Sequence, residues 1–104
     1  MLTKEKILET LYDYNNMHKQ NGFIVFSLFG SYAKNSQDYF SDIDLTYKIN
    51  HNIFYKDNAF AKLSKIDEIK EELQKKFHKK IDLIPANTSN QTLQKTLQEE
   101  QIII

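Results

Sequence analysis

Apolar positions step along the first part of the chain in threes and fours, and then become continuous. Behind Thr3 comes the charged run Lys4-Glu5-Lys6, and Ile7, Leu11, Tyr14 and Met17 or His18 follow at helical spacing. This period predicts an amphipathic helix over residues 3–19, with Thr3 as its N-cap. Asn21-Gly22 stops it, and Gly22 suits a left-handed C-terminal cap. The next seven residues, Phe23 to Phe29, are almost wholly apolar without alternation, which predicts a strand buried on both faces. Gly30-Ser31 breaks the run, Tyr32-Ala33-Lys34 begins a short helix, and residues 35–41 have loop composition. Ile43 to Ile49 predicts a second strand, with Asp42 and Asp44 at its start.

Residues 50–58 are polar with scattered aromatics and read as a loop or a distorted turn of helix. The longest helical pattern runs from Ala59 to Phe77, where Phe60, Leu63, Ile66, Ile69, Leu73 and Phe77 make an apolar stripe and DEIKEELQKK the wet face. Lys80 to Ile84 predicts a third strand closed by Pro85, and Asn87-Thr88-Ser89 can cap a last helix carrying Leu93 and Leu97. Gln101 to Ile104 reads as a fourth short strand. Its three terminal isoleucines need cover, either from the sheet of the same chain or from a partner. The order α-β-α-β-α-β-α-β predicts an α/β (α+β) fold with a small mixed sheet flanked by helices, forming one domain over residues 1–104.

The chain's 104 residues suffice to bury a core, with about two-thirds of the unfolded surface removed from water, but not to build a second full domain. Fourteen lysines, no arginine and fourteen acidic residues give a formal net charge of zero, so no general field holds a nucleic-acid backbone. The absence of cysteine excludes disulfides and thiolate metal sites. The N-terminus lacks the pattern of a signal peptide, and no apolar run approaches the ~20 residues of a membrane span. A cytoplasmic protein is expected.

Candidate chemistry concentrates in one segment: Gly30-Ser31, ten residues, then Asp42-Ile43-Asp44. Carboxylates two apart on a strand share a face while Ile43 points the other way into the core. Two such groups repel unless a cation joins them, and Mg²⁺ does so using one or two carboxylates with phosphate oxygens and water. Gly30 permits close backbone approach at the end of a buried strand, and Ser31 begins a helix start that favours an anion. Asp82, in Lys80-Ile81-Asp82-Leu83-Ile84, reaches the same edge if the third strand lies beside the second. Taken singly, Asp-x-Asp is more often a strand-start pair and Gly-Ser a turn. Their joint spacing arises by chance on the order of once in a thousand. Lys34 can touch a phosphate or remain solvated, and Tyr39 and Phe40 can stack on a ligand or anchor their loop. His18, His51 and His78 show no paired metal spacing.

GSYAKNSQDYFSDIDL at 30–45, followed by KIDLI at 80–84, resembles the nucleotidyltransferase superfamily that includes DNA polymerase β, and specifically its minimal nucleotidyltransferases. The resemblance implies that Asp42, Asp44 and Asp82 bind two Mg²⁺ ions (Mn²⁺ being the alternative). It also implies that Asp82 helps activate the nucleophile, and that Gly30 and Ser31 hold the β- and γ-phosphates of ATP or another nucleoside triphosphate. Asn35 stands where many relatives have glycine, and Tyr32 where many have arginine. Minimal members of this length occur as antitoxins that move AMP onto a tyrosine of a HEPN-domain ribonuclease toxin, and that activity is the expectation here. The alternatives are an aminoglycoside-type small-molecule transferase and a binding-only antitoxin with a vestigial site.

Overall fold

The computed structural model describes residues 2–104. Helix α1 (Lys4–His18) opens where Thr3 Oγ1 accepts a hydrogen bond from the Lys6 amide, and buries Ile7, Leu11 and Tyr14. A single 3₁₀ turn at Lys19–Asn21 separates it from Gly22, whose φ of 86° is the left-handed cap that its sequence position predicts. Strand β1 (Phe23–Phe29) leads directly into the one-turn helix α2 (Gly30–Ala33), and a loop then delivers the chain to β2 (Ile43–Ile49). Helix α3 (Ala59–Phe77), β3 (Ile81–Pro85), α4 (Gln91–Glu100) and the two-residue β4 (Ile102–Ile103) complete the order.

The four strands form one mixed sheet in the order β3-β2-β1-β4. β1 runs antiparallel to β2 and to β4, whereas β2 and β3 are parallel, joined by α3 as the crossover. Ile7, Leu11, Val25, Leu28, Ile43, Leu45, Leu73 and Ile81 are fully buried and form the centre of the core. Ser27 and Thr46, cross-strand partners in that core, satisfy one another through a hydroxyl–hydroxyl bond of 2.6 Å. β4 pairs only Ser27 and Leu28 of β1, and Asn15 of α1 meets the Val25 backbone beyond it. The Asn15 side-chain amide donates to the Val25 carbonyl (2.8 Å), and its oxygen accepts from the Val25 amide (2.9 Å). One side chain thereby supplies what a longer edge strand would.

Four details differ from the sequence pattern. β1 is not covered evenly, since Ile24 and Phe26 are half-buried. The apolar stripe of α3 packs only through its later turns: Ile69, Leu73 and Phe77 are buried, whereas Phe60 and Leu63 are 81 % and 66 % exposed. Length contributes to this, because a 19-residue helix spans about 28 Å and a seven-residue strand about 23 Å, so α3 is longer than the strands by about one turn. The cap of α4 is Asn90 rather than a residue of 87–89, its side chain accepting from the Leu93 amide at 3.0 Å. β3 begins at Ile81, one residue later than its pattern, and includes Pro85. The C-terminal isoleucines pair with β1, Ile102 opposite Leu28 and Ile103 opposite Ser27, and the Ile104 amide donates to the Phe26 carbonyl at 2.9 Å. The chain's own sheet half-buries Ile102 and Ile104, while Ile103 stays 61 % exposed.

Candidate active site

Register brings the predicted carboxylates to one edge. In the parallel β2–β3 pair, Asp44 lies opposite Asp82, while in the antiparallel β1–β2 pair it lies opposite Phe29, the residue before Gly30. Asp44 therefore stands between the end of β1 and the start of β3. Ile43 is fully buried and Asp42 and Asp44 are half-buried, as expected for alternate residues of a strand with one face in the core. Asp82 is exposed.

Gly30 is there for a steric reason. Its φ is 75°, and a Cβ at this position would overlap Oδ2 of Asp44 and lie 3.0 Å from Asp44 Cγ. Any other residue type would have to hold a strained left-handed φ and displace the Asp44 carboxyl group. Helix α2 then closes on itself: the Lys34 amide bonds to the Gly30 carbonyl (3.2 Å), and the Ser36 amide to the Ser31 carbonyl (2.9 Å). Asn35 takes a φ of 57° to make this bend, the left-handed conformation that asparagine tolerates better than other non-glycine residues. Tyr32 is buried in the core and so does not occupy the place of an exposed cation.

Electrostatics single out Asp44. Its carboxyl is pushed up from the ordinary 3.8 to about 6, first by burial, then by hydrogen bonding with Asp82, then by the negative charges of Asp82, Asp42 and Glu100. Carboxyl groups just before β2, on β3 and at the end of α4 thus bear on Asp44 at this edge. Among the described residues, no three His, Asp or Glu side chains are grouped so as to hold a metal ion by themselves. The pair that meets is Asp44 and Asp82. A carboxyl pair without a cation shares a proton, and the same oxygen-rich pair suits a hard divalent ion that takes its remaining ligands from phosphate and water.

One participant, Glu100, has no counterpart among the expected site residues, and Lys34, weighed as a phosphate contact or a solvated lysine, pairs with it. Glu100 reaches the edge because β4 anchors the end of α4 beside β1, and nothing in its local sequence marks it. Lys34 is not merely solvated: its ammonium lies 3.3 Å from the Glu100 carboxylate. The loop before Asp42 is itself tied down. The Asp38 carboxylate accepts from the Phe40 amide (2.9 Å), and the Ser41 hydroxyl accepts from the Asp38 amide (2.9 Å).

The sequence model of the family described as "Polymerase beta, Nucleotidyltransferase" matches residues 5–104. The chain belongs to this family. No curated protein matches it significantly by sequence. Among solved structures, a minimal nucleotidyltransferase is similar with a TM-score of 0.71 at 16 % identity, over 99 % of this chain and 97 % of that one. A toxin–antitoxin solved with AMP-PNP gives 0.60 at 21 % identity, over 98 % of this chain and 72 % of that one. The toxin–antitoxin MntA–HpeT, in a form with two aspartates two positions apart changed to glutamate, gives 0.58 at 19 % identity, covering 98 % and 71 %. At these identities the structures establish a shared fold. Family and fold support nucleotidyl transfer, and enzymes of this fold generally use divalent metals. Among the described residues, no helix is long and apolar enough to cross a membrane.

Proposed function

We propose that this nucleotidyltransferase is an antitoxin that moves AMP from ATP onto a tyrosine hydroxyl of a cognate HEPN-domain ribonuclease toxin in the cytoplasm. On this reading residues 1–104 act as one minimal domain. The observation that carries the proposal is the convergence of Gly30, Asp44 and Asp82 at one sheet edge, with Asp42 and Glu100 close enough to raise the Asp44 pKa. Support for the nucleotide comes from the AMP-PNP in one structural neighbour, and support for a toxin from the toxin–antitoxin assemblies of two.

In this reading Asp42, Asp44 and Asp82 hold divalent cations, preferably Mg²⁺, and Gly30 and Ser31 form the wall against the β- and γ-phosphates. Bound Mg²⁺ would supply charge to offset that of the transferring group and the departing pyrophosphate. The residues position and exchange a proton. Asp82, exposed at the edge, takes the proton of the acceptor hydroxyl, whose oxygen forms a bond to the α-phosphorus as the bond to the β-phosphate oxygen breaks. Lys34, already at the site and paired with Glu100, is placed to meet phosphate charge. The cavities of about 560 Å³ and 470 Å³ on this protein do not include the three aspartates in their walls. A macromolecular acceptor, which brings its own wall to an open edge, suits this surface better than a small alcohol.

The test uses ATP labelled at the α- or the γ-phosphorus, Mg²⁺ and a purified HEPN-domain ribonuclease as acceptor. Label entering the toxin from the α-position only, and lost on phosphodiester cleavage, is expected. Transfer from the γ-position, or neutralisation of the toxin by an Asp42→Asn/Asp44→Asn variant as effective as wild type, would replace the proposal with phosphorylation or with simple occlusion.

A further inference from the structure

One patch beside this site is used by neither the core nor the proposed chemistry. Tyr39 and Phe40 stand 77 % and 86 % exposed at the tip of the loop before Asp42, their rings packed edge to face with centroids 5.3 Å apart. Exposed aromatics usually ride on mobile loops, but this one is fixed at both ends. Asp38 and Ser41 bond across its base, and Lys79 donates to the Tyr39 carbonyl at 2.6 Å while lying 5.5 Å from the centroid of the Tyr39 ring.

Lys79 belongs to the run Lys75-Lys76-Phe77-His78-Lys79-Lys80, which ends α3 and leads to β3, two residues short of Asp82. Among the described residues none of these four lysines is paired with a carboxylate, the ion pairs being Lys34–Glu100 and Lys65–Glu68. Lysines in a last helical turn complement the helix dipole, which accounts for Lys75 and Lys76. It does not account for Lys79 and Lys80, nor for two exposed aromatic rings of which Tyr39 is held by Lys79. In a chain of zero net charge, four lysines within six residues concentrate positive charge beside the carboxylate edge, with Glu71 and Glu72 one helical turn before them and Asp38 in the aromatic loop.

We propose that Tyr39, Phe40 and the lysines at 75, 76, 79 and 80 form the docking surface for the protein acceptor, and that the matching surface of that acceptor is acidic around an apolar recess. This rests on the protein-acceptor reading above and names the chemistry of its partner. Rigid aromatic anchors with a cationic rim are the features that concentrate binding energy in protein interfaces. A single-stranded nucleic acid fits less well. Lys79 covers Tyr39, and the two rings meet edge to face, so the pair lacks the parallel platform on which successive bases stack. The patch flanks Asp42 on the loop side and Asp82 on the strand side, so an acceptor seated on it presents its hydroxyl to the edge.

The docking step is testable without nucleotide or metal, which separates it from the transfer reaction. A fluorescein-labelled copolymer of glutamate and tyrosine (4:1) serves as an acidic, tyrosine-bearing probe in anisotropy titrations at 150 mM salt, with circular dichroism confirming that each variant is folded. Expected is saturable binding to wild type, at least tenfold weaker with lysines 75, 76, 79 and 80 changed to Gln, and at least fivefold weaker in Tyr39→Ser/Phe40→Ser. Four substitutions to Gln at lysines 19, 48, 56 and 62, at the opposite end of the sheet, are expected to change affinity less than twofold. Equal losses from the two lysine sets, or wild-type affinity in the aromatic variant, would overturn the proposal. Tighter binding of a 20-residue oligouridine than of the copolymer would overturn it in favour of a nucleic-acid surface.

Discussion

Replacing Asp44 by asparagine should stabilise the metal-free protein at neutral pH while destroying the site. The reason lies in the sign of the Asp44 shift. Its carboxyl is raised from 3.8 to about 6 in the fold, so between those values the folded chain binds more protons than the unfolded one. Stability therefore falls as pH rises from about 4 to about 6, and the full cost persists above it. For a fully buried group a shift of this size corresponds to about 3 kcal/mol. Asp44 is only partly buried, and solvent screening reduces the figure to about 1–1.5 kcal/mol. The amide of the Asp44→Asn variant carries no charge to desolvate and can still donate to Asp82. Urea unfolding in EDTA at pH 4.5 and 7.5 reads the effect directly. Expected is a variant about 1 kcal/mol more stable than wild type at pH 7.5, with the gap narrowing at pH 4.5; for a chain this size that is a Tm rise of about 4–8 °C at the higher pH. A wild type and variant that differ by the same amount at both pH values would refute the reasoning, because the Asp44 charge would then carry none of the cost.

Gly30→Ala should lose about 2 kcal/mol through its left-handed φ and the overlap with Asp44, and should weaken ATP binding measured calorimetrically at least tenfold; retained affinity would place the phosphates elsewhere. Ser27→Ala strands the Thr46 hydroxyl in the core and should cost about 1–3 kcal/mol by denaturant melts. The double variant Ser27→Ala/Thr46→Val should cost less than the sum of its single changes, and strict additivity would deny the coupling. Deleting residues 102–104 removes half-buried Ile102 and Ile104 and the end of the sheet, and should lower stability by about 2–3 kcal/mol; an unchanged Tm would mean that the β4 pairing contributes nothing.

The elements were legible because their signals are local. Phe23–Phe29, Ile43–Ile49 and Ala59–Phe77 have the bounds that periodicity and stop residues set. The convergence of Asp42, Asp44 and Gly30 could be anticipated from spacing, since one short loop separates α2 from β2. Asp82 needed the parallel β2–β3 register, which depends on how α3 packs across the sheet rather than on any residue near Asp82. Glu100 was not legible at all. Its place depends on the two-residue strand after it pairing with β1, a contact between the chain's end and its first strand. The exposed Phe60 and Leu63 mark the converse failure. A periodic stripe reports what a helix can bury, whereas the length of the sheet beneath contributes to how much of it is buried.

The central claim is that the edge formed by Gly30, Asp42, Asp44 and Asp82 binds a nucleoside triphosphate together with divalent metal. Calorimetric titration of ATP into the wild-type chain, in Mg²⁺ and again in EDTA, tests it most directly, with Asp44→Asn/Asp82→Asn as the paired control. The account predicts saturable binding that requires Mg²⁺ and falls at least tenfold in the double variant, whose fold stays intact. Binding of equal strength in EDTA, or undiminished in the double variant, would contradict it.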